Sequence, residues 1–197
     1  MLYLLGGAAR AGKSTIAKQF LKESSVPFFC LDWLMMGFAR GLPTFGVDPE
    51  DDELHVGRLL WPVVHPMALT LLENDEDYLI EGVQLHPQQV DVLRQEWGDQ
   101  VRACFVGYAD MDSSAKLSHI RAYGGGPDDW LRDYDDQQLL ATVERLKVLS
   151  STLRDECARW RVPYVETGID LQQAIDTVVH LFHTGSMPTG SPTDDSI

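Results

Sequence analysis

A lysine and a hydroxyl set behind two glycines, Gly7-Ala8-Ala9-Arg10-Ala11-Gly12-Lys13-Ser14, form the part of this chain best suited to chemistry on an anion. The string fits G-x-x-x-x-G-K-[S/T], a pattern in which each fixed position has a physical task. Glycines let backbone N–H groups turn inward and approach a phosphate with no Cβ in the way. Lys13 brings a positive charge to the β- and γ-phosphates, and the Ser14 hydroxyl is a hard oxygen ligand for Mg²⁺. A helix starting here points its positive end at the same anion. Gly7, Ala8, Ala9, Arg10, Ala11, Gly12, Lys13, Ser14 and Thr15 are therefore the expected nucleotide contacts. The flanks agree, because the apolar run Leu2-Tyr3-Leu4-Leu5 leads in as a strand and Ile16, Ala17, Phe20 and Leu21 follow at helical spacing. A Gly/Ala-rich turn matching by chance would lack both flanks. The motif predicts a bound nucleoside triphosphate.

Phosphoryl chemistry beside such a loop needs acids and further cations. In open parallel sheets ligands sit at the carboxyl ends of the strands. Asp32 closes a predicted strand over residues 26–31, and Glu81 closes another over 78–80. One carboxylate can serve the metal, and one can accept the proton of an attacking hydroxyl. Either acid alone reads equally well as a helix cap or turn residue. Developing charge on the transferred group also calls for cations beyond Lys13. Arg121 and Arg132 bracket the flexible Gly124-Gly125-Gly126-Pro127, which suits a lid over residues 119–134 carrying an arginine to the phosphates. Lys116 lies further back, and Arg10, inside the loop, is expected to face solvent. Arg40 and Arg58 fall in the segment 33–60 that should cover an acceptor, where they would clamp an anionic one. His55, His65, His86 and His119 show no metal-ligand spacing and read as structural or substrate-edge residues.

The elements that position these groups alternate. After the first strand and helix come the second strand and an irregular stretch over 33–52 punctuated by Gly37, Gly41, Pro43, Gly46 and Pro49. A helical stripe over 54–72 carries Pro62 and Pro66, which should kink or divide it. The strand at 78–80 follows, then a helix from His86, a strand over 101–106 and a helix from Ser113. The longest helix covers 135–160, with Leu139, Val143, Leu146, Leu153 and Cys157 keeping its period. A fifth strand at 162–165 and a helix over 171–182 complete a three-layer α/β/α domain with a five-stranded parallel sheet, spanning 1–183. Residues 184–197, poor in anything to bury, read as a disordered tail.

The chain has 197 residues, enough for one domain with a substantial core. A formal charge of −14 argues against a nucleic-acid or anionic membrane surface. Cys30, Cys104 and Cys157, odd in number and set in apolar segments, read as reduced core thiols of a cytoplasmic protein, monomeric or homodimeric. No stretch is long enough to span a membrane, and no basic lead-in precedes the first strand. Asn-Lys-x-Asp, which reads guanine in GTPases, is missing, since Asn74 is the only asparagine. Tyr78-Leu79-Ile80-Glu81-Gly82 lacks the paired acids of a helicase-type ATPase strand.

With its P-loop, Asp32, Glu81-Gly82 and an arginine-bearing lid, the chain resembles the P-loop small-molecule kinases, such as shikimate, gluconate, adenylate and chloramphenicol kinases. That resemblance implies a sheet order of 2-3-1-4-5, ATP and Mg²⁺ as cofactors, and γ-phosphoryl transfer to a hydroxyl of a small molecule. It places Ser14 and Glu81 on the metal side, and Asp32 beside the acceptor as ligand or general base. Lys13, Arg121 and Arg132 would assist the transfer, Asp32, Arg40, Arg58 and Glu81 would hold the substrate, and Thr167-Gly168 would lie by the adenine. Asp32-Trp33-Leu34-Met35-Met36 and Glu81-Gly82-Val83-Gln84-Leu85-His86-Pro87 are similar to strings of 2-phosphoglycerate kinase-type proteins, implying a small anionic acceptor. The competing expectation is a nucleotide-binding switch or assembly ATPase that changes shape and transfers nothing.

Overall fold

The computed structural model describes residues 1–123, 129 and 131–188. Five parallel strands, β1 (Leu2–Gly7), β2 (Phe28–Cys30), β3 (Tyr78–Glu81), β4 (Val101–Gly107) and β5 (Tyr164–Glu166), pair in the order β2-β3-β1-β4-β5. The seven α-helices among the described residues are α1 (Lys13–Ser24), α2 (Leu31–Gly41), α3 (Glu53–Glu73), α4 (Pro87–Trp97), α5 (Ser113–Tyr123), α6 (Asp136–Arg159) and α7 (Leu171–Thr184).

Alternation along β1 builds the layers. Leu2 and Leu4 point into one core with Leu60 and Val64 of α3, Val90 and Leu93 of α4, and Leu153 and Cys157 of α6. Tyr3 and Leu5 point into the other with Ile16 and Phe20 of α1 and Val178 and Phe182 of α7. The central strand is buried on both faces, as a parallel sheet covered by helices requires. Tyr3, Phe20 and Phe182 meet edge-to-face, with ring centroids 4.8–5.4 Å apart. A satellite cluster of Ile120, Leu131, Leu139 and Val143 joins α5 to α6.

Three expectations change. The second strand is shorter than 26–31, and the stretch from residue 33 is not irregular: α2 begins at Leu31 and runs to Gly41. Gly37 and Gly41 disguised a helix whose Leu34, Met35 and Phe38 pack against the core at helical spacing. Asp32 consequently sits in the first turn of α2, where its charge also suits the helix dipole. The helix bearing Pro62 and Pro66 is not divided; α3 is assigned as one helix of 21 residues. Its burial stripe, Val56, Leu60, Val64, Ala68 and Leu72, carries it past both prolines. The lid stretch Gly124-Gly125-Gly126-Pro127, and all of the tail after Pro188, lie outside the described residues. Among the described residues no helix is long and apolar enough to cross a membrane. Cys30, Cys104 and Cys157 are buried free thiols.

Candidate active site

The phosphate loop leaves β1 where that strand runs tightest against β4. A Cβ on Gly7 would lie 2.0 Å from the Val106 carbonyl oxygen, and Gly7 has φ +133°, so no other residue fits. Ala8 N–H then donates to Val106 O at 3.0 Å, anchoring the loop's start. Arg10 (φ 63°) and Gly12 (φ 89°) are left-handed, and such alternation turns successive N–H groups toward one side. Ala11 N–H bonds to Ala8 O, and the Thr15 and Ile16 N–H groups bond to Gly12 O. Among the described residues no backbone bond takes up the N–H of Arg10, Gly12 or Lys13, which leaves them to an anion.

Lys13 is buried, and its Nζ donates to Gly7 O at 3.2 Å and Ala8 O at 2.9 Å. Burial pushes its ammonium below the usual lysine range, while Glu81, Asp32, Cys30 and Glu53 pull it back. Ser14 Oγ donates to Glu81 Oε1 at 2.9 Å, across the β1–β3 pairing in which Leu5 opposes Glu81. Glu81 itself is 2% exposed. One hydroxyl and one carboxylate meet here as hard oxygens. That donor set fits Mg²⁺, which keeps much of its shell for water and phosphate. No cluster of three or more His, Cys, Asp or Glu able to cage a metal occurs among the described residues.

Asp32 stands one strand further out. Its Oδ1 accepts from Gln84 Nε2 at 2.8 Å. Between the two acids lies Cys30, whose thiol is pushed up to about 12 by burial, with the Glu81 and Asp32 charges adding to it. The structure thus gathers Lys13, Ser14, Glu81 and Asp32 at the carboxyl ends of β1, β2 and β3.

The other basic residues are placed differently. Arg10 does not simply face solvent. Its guanidinium pairs with the nearly buried carboxylate of Asp129, and its carbonyl accepts from Lys116 Nζ at 2.8 Å. Lys116 lies 3.9 Å over the Tyr108 ring, and the Tyr108 hydroxyl donates to Ala9 O at 3.1 Å. Burial, then the Arg10 charge, lowers the Lys116 ammonium to about 8. Arg121 is engaged at the start of α6, donating to Asp136 Oδ1 and Tyr134 O at 2.7–3.1 Å. Arg132 is exposed in the turn before α6, and Arg40 and Arg58 are exposed on α2 and α3. Thr167 bonds to Gly107 O through N–H (2.7 Å) and Oγ1 (2.9 Å), fixing the turn that would border a base. Among the histidines, His86 is half-buried, with its Nε2 sealed from solvent. Burial and the Arg58 charge lower it to about 4, so it is neutral at pH 7.

Sequence reading passed over three groups. Gln84 lies inside a string already quoted, and its signal was a polar residue bounded by Val83 and Leu85. Arg145 of α6 forms a two-pronged pair with Glu53 at 2.9 and 3.0 Å at the start of α3, a contact spanning 92 positions. Both residues act electrostatically on Tyr108, and Glu53 on Lys13. Asp129, the partner of Arg10, follows the Gly-rich stretch and had no local signal.

No protein-family model matches the chain, and no curated protein matches it in sequence. Solved structures do. A shikimate kinase from Bacteroides thetaiotaomicron superposes with a TM-score of 0.57 at 16% identity, covering 93% of this chain and 96% of that one. A gluconokinase from Sinorhizobium meliloti 1021 gives 0.56 at 17% identity, covering 90% and 89%. A shikimate kinase from Aquifex aeolicus gives 0.54 at 16% identity, covering 94% and all of that chain. The strand order and these likenesses together establish that the chain has the fold of the P-loop small-molecule kinases.

Proposed function

We propose that the protein is an ATP-dependent phosphotransferase that moves the γ-phosphoryl group to a hydroxyl of a small molecule. The observation that carries this reading is the pair of carboxylates at the carboxyl edge of the sheet, Glu81 ending β3 and Asp32 in the first turn of α2. Glu81 is bonded to the loop hydroxyl at 2.9 Å, and Asp32 is held one strand outward, where an acceptor would meet the phosphate. A nucleotide switch needs the first carboxylate and has no use for the second.

The loop N–H groups and Lys13 hold the triphosphate and meet the charge that spreads over the γ-phosphoryl oxygens. Ser14 and Glu81 are the residues that would hold Mg²⁺, directly or through its waters. When bound, that ion screens the phosphate charge and stabilises the leaving ADP. Asp32 accepts the acceptor's hydroxyl proton as the new O–P bond forms and the bond from the γ-phosphorus to the β–γ bridging oxygen breaks. The lysine ammonium stays in the loop, and the proton ends on Asp32. Arg121 and Arg132 are the lid candidates for the transferred group, reached by release of Arg121 from Asp136. Arg40 and Arg58 are the candidates for an anionic acceptor, of which a 2-phosphoglycerate-like molecule is one.

The test is ADP release from MgATP with a panel of hydroxyl acceptors: shikimate, gluconate, phosphorylated glycerates, nucleosides and aminocyclitol or chloramphenicol-type antibiotics. The reading requires stimulation by one class, lost in Asp32→Asn while nucleotide binding survives. Full transfer by Asp32→Asn would remove Asp32 from its role.

A further inference from the structure

The geometry points to Gln84 as the positioning residue that fixes the Asp32 carboxylate; that this matters to catalysis rests on the role proposed for Asp32 above. Gln84 follows β3 by three residues and is 2% exposed. Its Nε2 donates to Asp32 Oδ1 at 2.8 Å and to Met35 Sδ at 3.4 Å, two groups on successive turns of α2. Both N–H bonds are thereby spent on one helix face, which fixes the rotation of the amide. The amide orientation follows from chemistry, because an ionised carboxylate only accepts and the nitrogen must face it. Among the described residues, the Asp32 side chain takes its hydrogen bond from Gln84.

The surroundings are shaped around this side chain. A Cβ on Gly82 would fall 2.5 Å from Gln84 Oε1 and 2.7 Å from Leu31 Cβ, so the glycine after Glu81 clears the path that the amide crosses. A Cβ on Gly57 of α3 would fall 2.5 Å from the Gln84 carbonyl oxygen, so the backbone is held from the other side. Glu81, Gly82 and Gln84 form one device: the first serves Ser14, the second makes room, and the third holds Asp32.

Gln84 also carries a cost. Its Oε1 is buried with no hydrogen-bond donor among the described residues. An orphaned buried acceptor weakens a fold, and an apolar group of the same shape would be neutral or better. Met35, whose sulfur already lies 3.4 Å from the amide nitrogen, would pack against one. A residue kept at the expense of stability is characteristic of a functional site. Because Oε1 is sealed from solvent, Gln84 acts through Asp32 and touches no substrate.

Two variants of the full chain test this, Gln84→Met, which keeps the volume and removes the donor, and Gln84→Glu, which sets a second carboxylate against Asp32. The first readout is independent of any activity: side-chain χ1 couplings of Asp32 by NMR in aspartate-labelled protein, assigned with Asp32→Asn. Wild type should show one rotamer, and both variants averaged couplings, with Gln84→Met melting at or above wild type. The second readout is transfer from MgATP to shikimate or gluconate, whichever the wild type uses. There kcat should fall about 10- to 100-fold in Gln84→Met, with KM for MgATP unchanged. Unchanged Asp32 couplings in both variants, or a lower melting temperature with unchanged couplings, would overturn the proposal. Loosened couplings with unaltered kcat would overturn its catalytic part. If wild type uses neither acceptor, the couplings alone decide whether Gln84 holds Asp32, and the kinase reading is decided separately by the full acceptor panel.

Discussion

Replacing Gly57 by alanine sets two well-measured effects against each other. In the interior of a helix such as α3, Gly→Ala ordinarily gains about 1 kcal/mol of helix propensity. A buried methyl group adds about 0.8 kcal/mol. An open site would therefore be stabilised by roughly 1–2 kcal/mol on those figures. Gly57 has no such space. Its Cβ would lie 2.1 Å from His86 Nε2 and 2.5 Å from the Gln84 carbonyl oxygen, more than 1 Å and nearly 1 Å inside ordinary contact. His86 is half-buried with its Nε2 sealed from solvent, and the Gln84 oxygen belongs to backbone three residues from Glu81. Overpacking of this kind costs about 1–3 kcal/mol, and more where backbone must shift. Because both close atoms resist displacement the upper end of that range applies, and the clash wins by about 1 kcal/mol, a fall in melting temperature of about 2–4 °C for a chain of this size. Thermal and urea unfolding of Gly57→Ala read the sign directly. A variant as stable as wild type, or more stable, refutes the close packing of α3 on the segment that carries Gln84 and His86.

Lys13→Ala should lower MgATP turnover about 100- to 1000-fold, checked by steady-state ADP release. Glu81→Gln keeps an acceptor for Ser14 but removes a charge, so half-maximal activity should need about tenfold more Mg²⁺ in a metal titration. For Lys116, a folded value of about 8 lies below the 10.5 of a free lysine, so between those pH values the unfolded chain binds more protons. The stability of wild type relative to Lys116→Met should therefore rise as pH climbs from 8 toward 10.5, measured as the difference in urea midpoints. A flat or falling difference would contradict the burial of that ammonium.

The sheet was legible because strands buried on both faces are continuous apolar runs, and because the loop motif fixes the strand before it and the helix after it. Glu81 was legible for the same reason: it caps such a run. What escaped were features set by distance in space. The helix α2 was masked by two glycines that its packing tolerates, and α3 keeps a single helical run through two prolines because its burial stripe outweighs their cost. Gln84 looked like a spacer until α2 came down beside it. Arg145 reads as solvated surface on α6, and only the fold brings it to Glu53, 92 positions earlier. Arg10 sits in the motif itself, yet its partners Lys116 and Asp129 come from after β4.

The central claim is that two carboxylates divide the labour of phosphoryl transfer beside one phosphate loop. The most direct measurement is ADP release from MgATP with the acceptor panel, run in parallel on wild type and Asp32→Asn, with nucleotide binding measured on both. The account predicts acceptor-stimulated release in wild type, its loss in Asp32→Asn, and equal MgATP affinity in the two proteins. MgATP binding with slow hydrolysis that no acceptor stimulates and Asp32→Asn leaves unchanged would contradict it, and would favour a nucleotide switch.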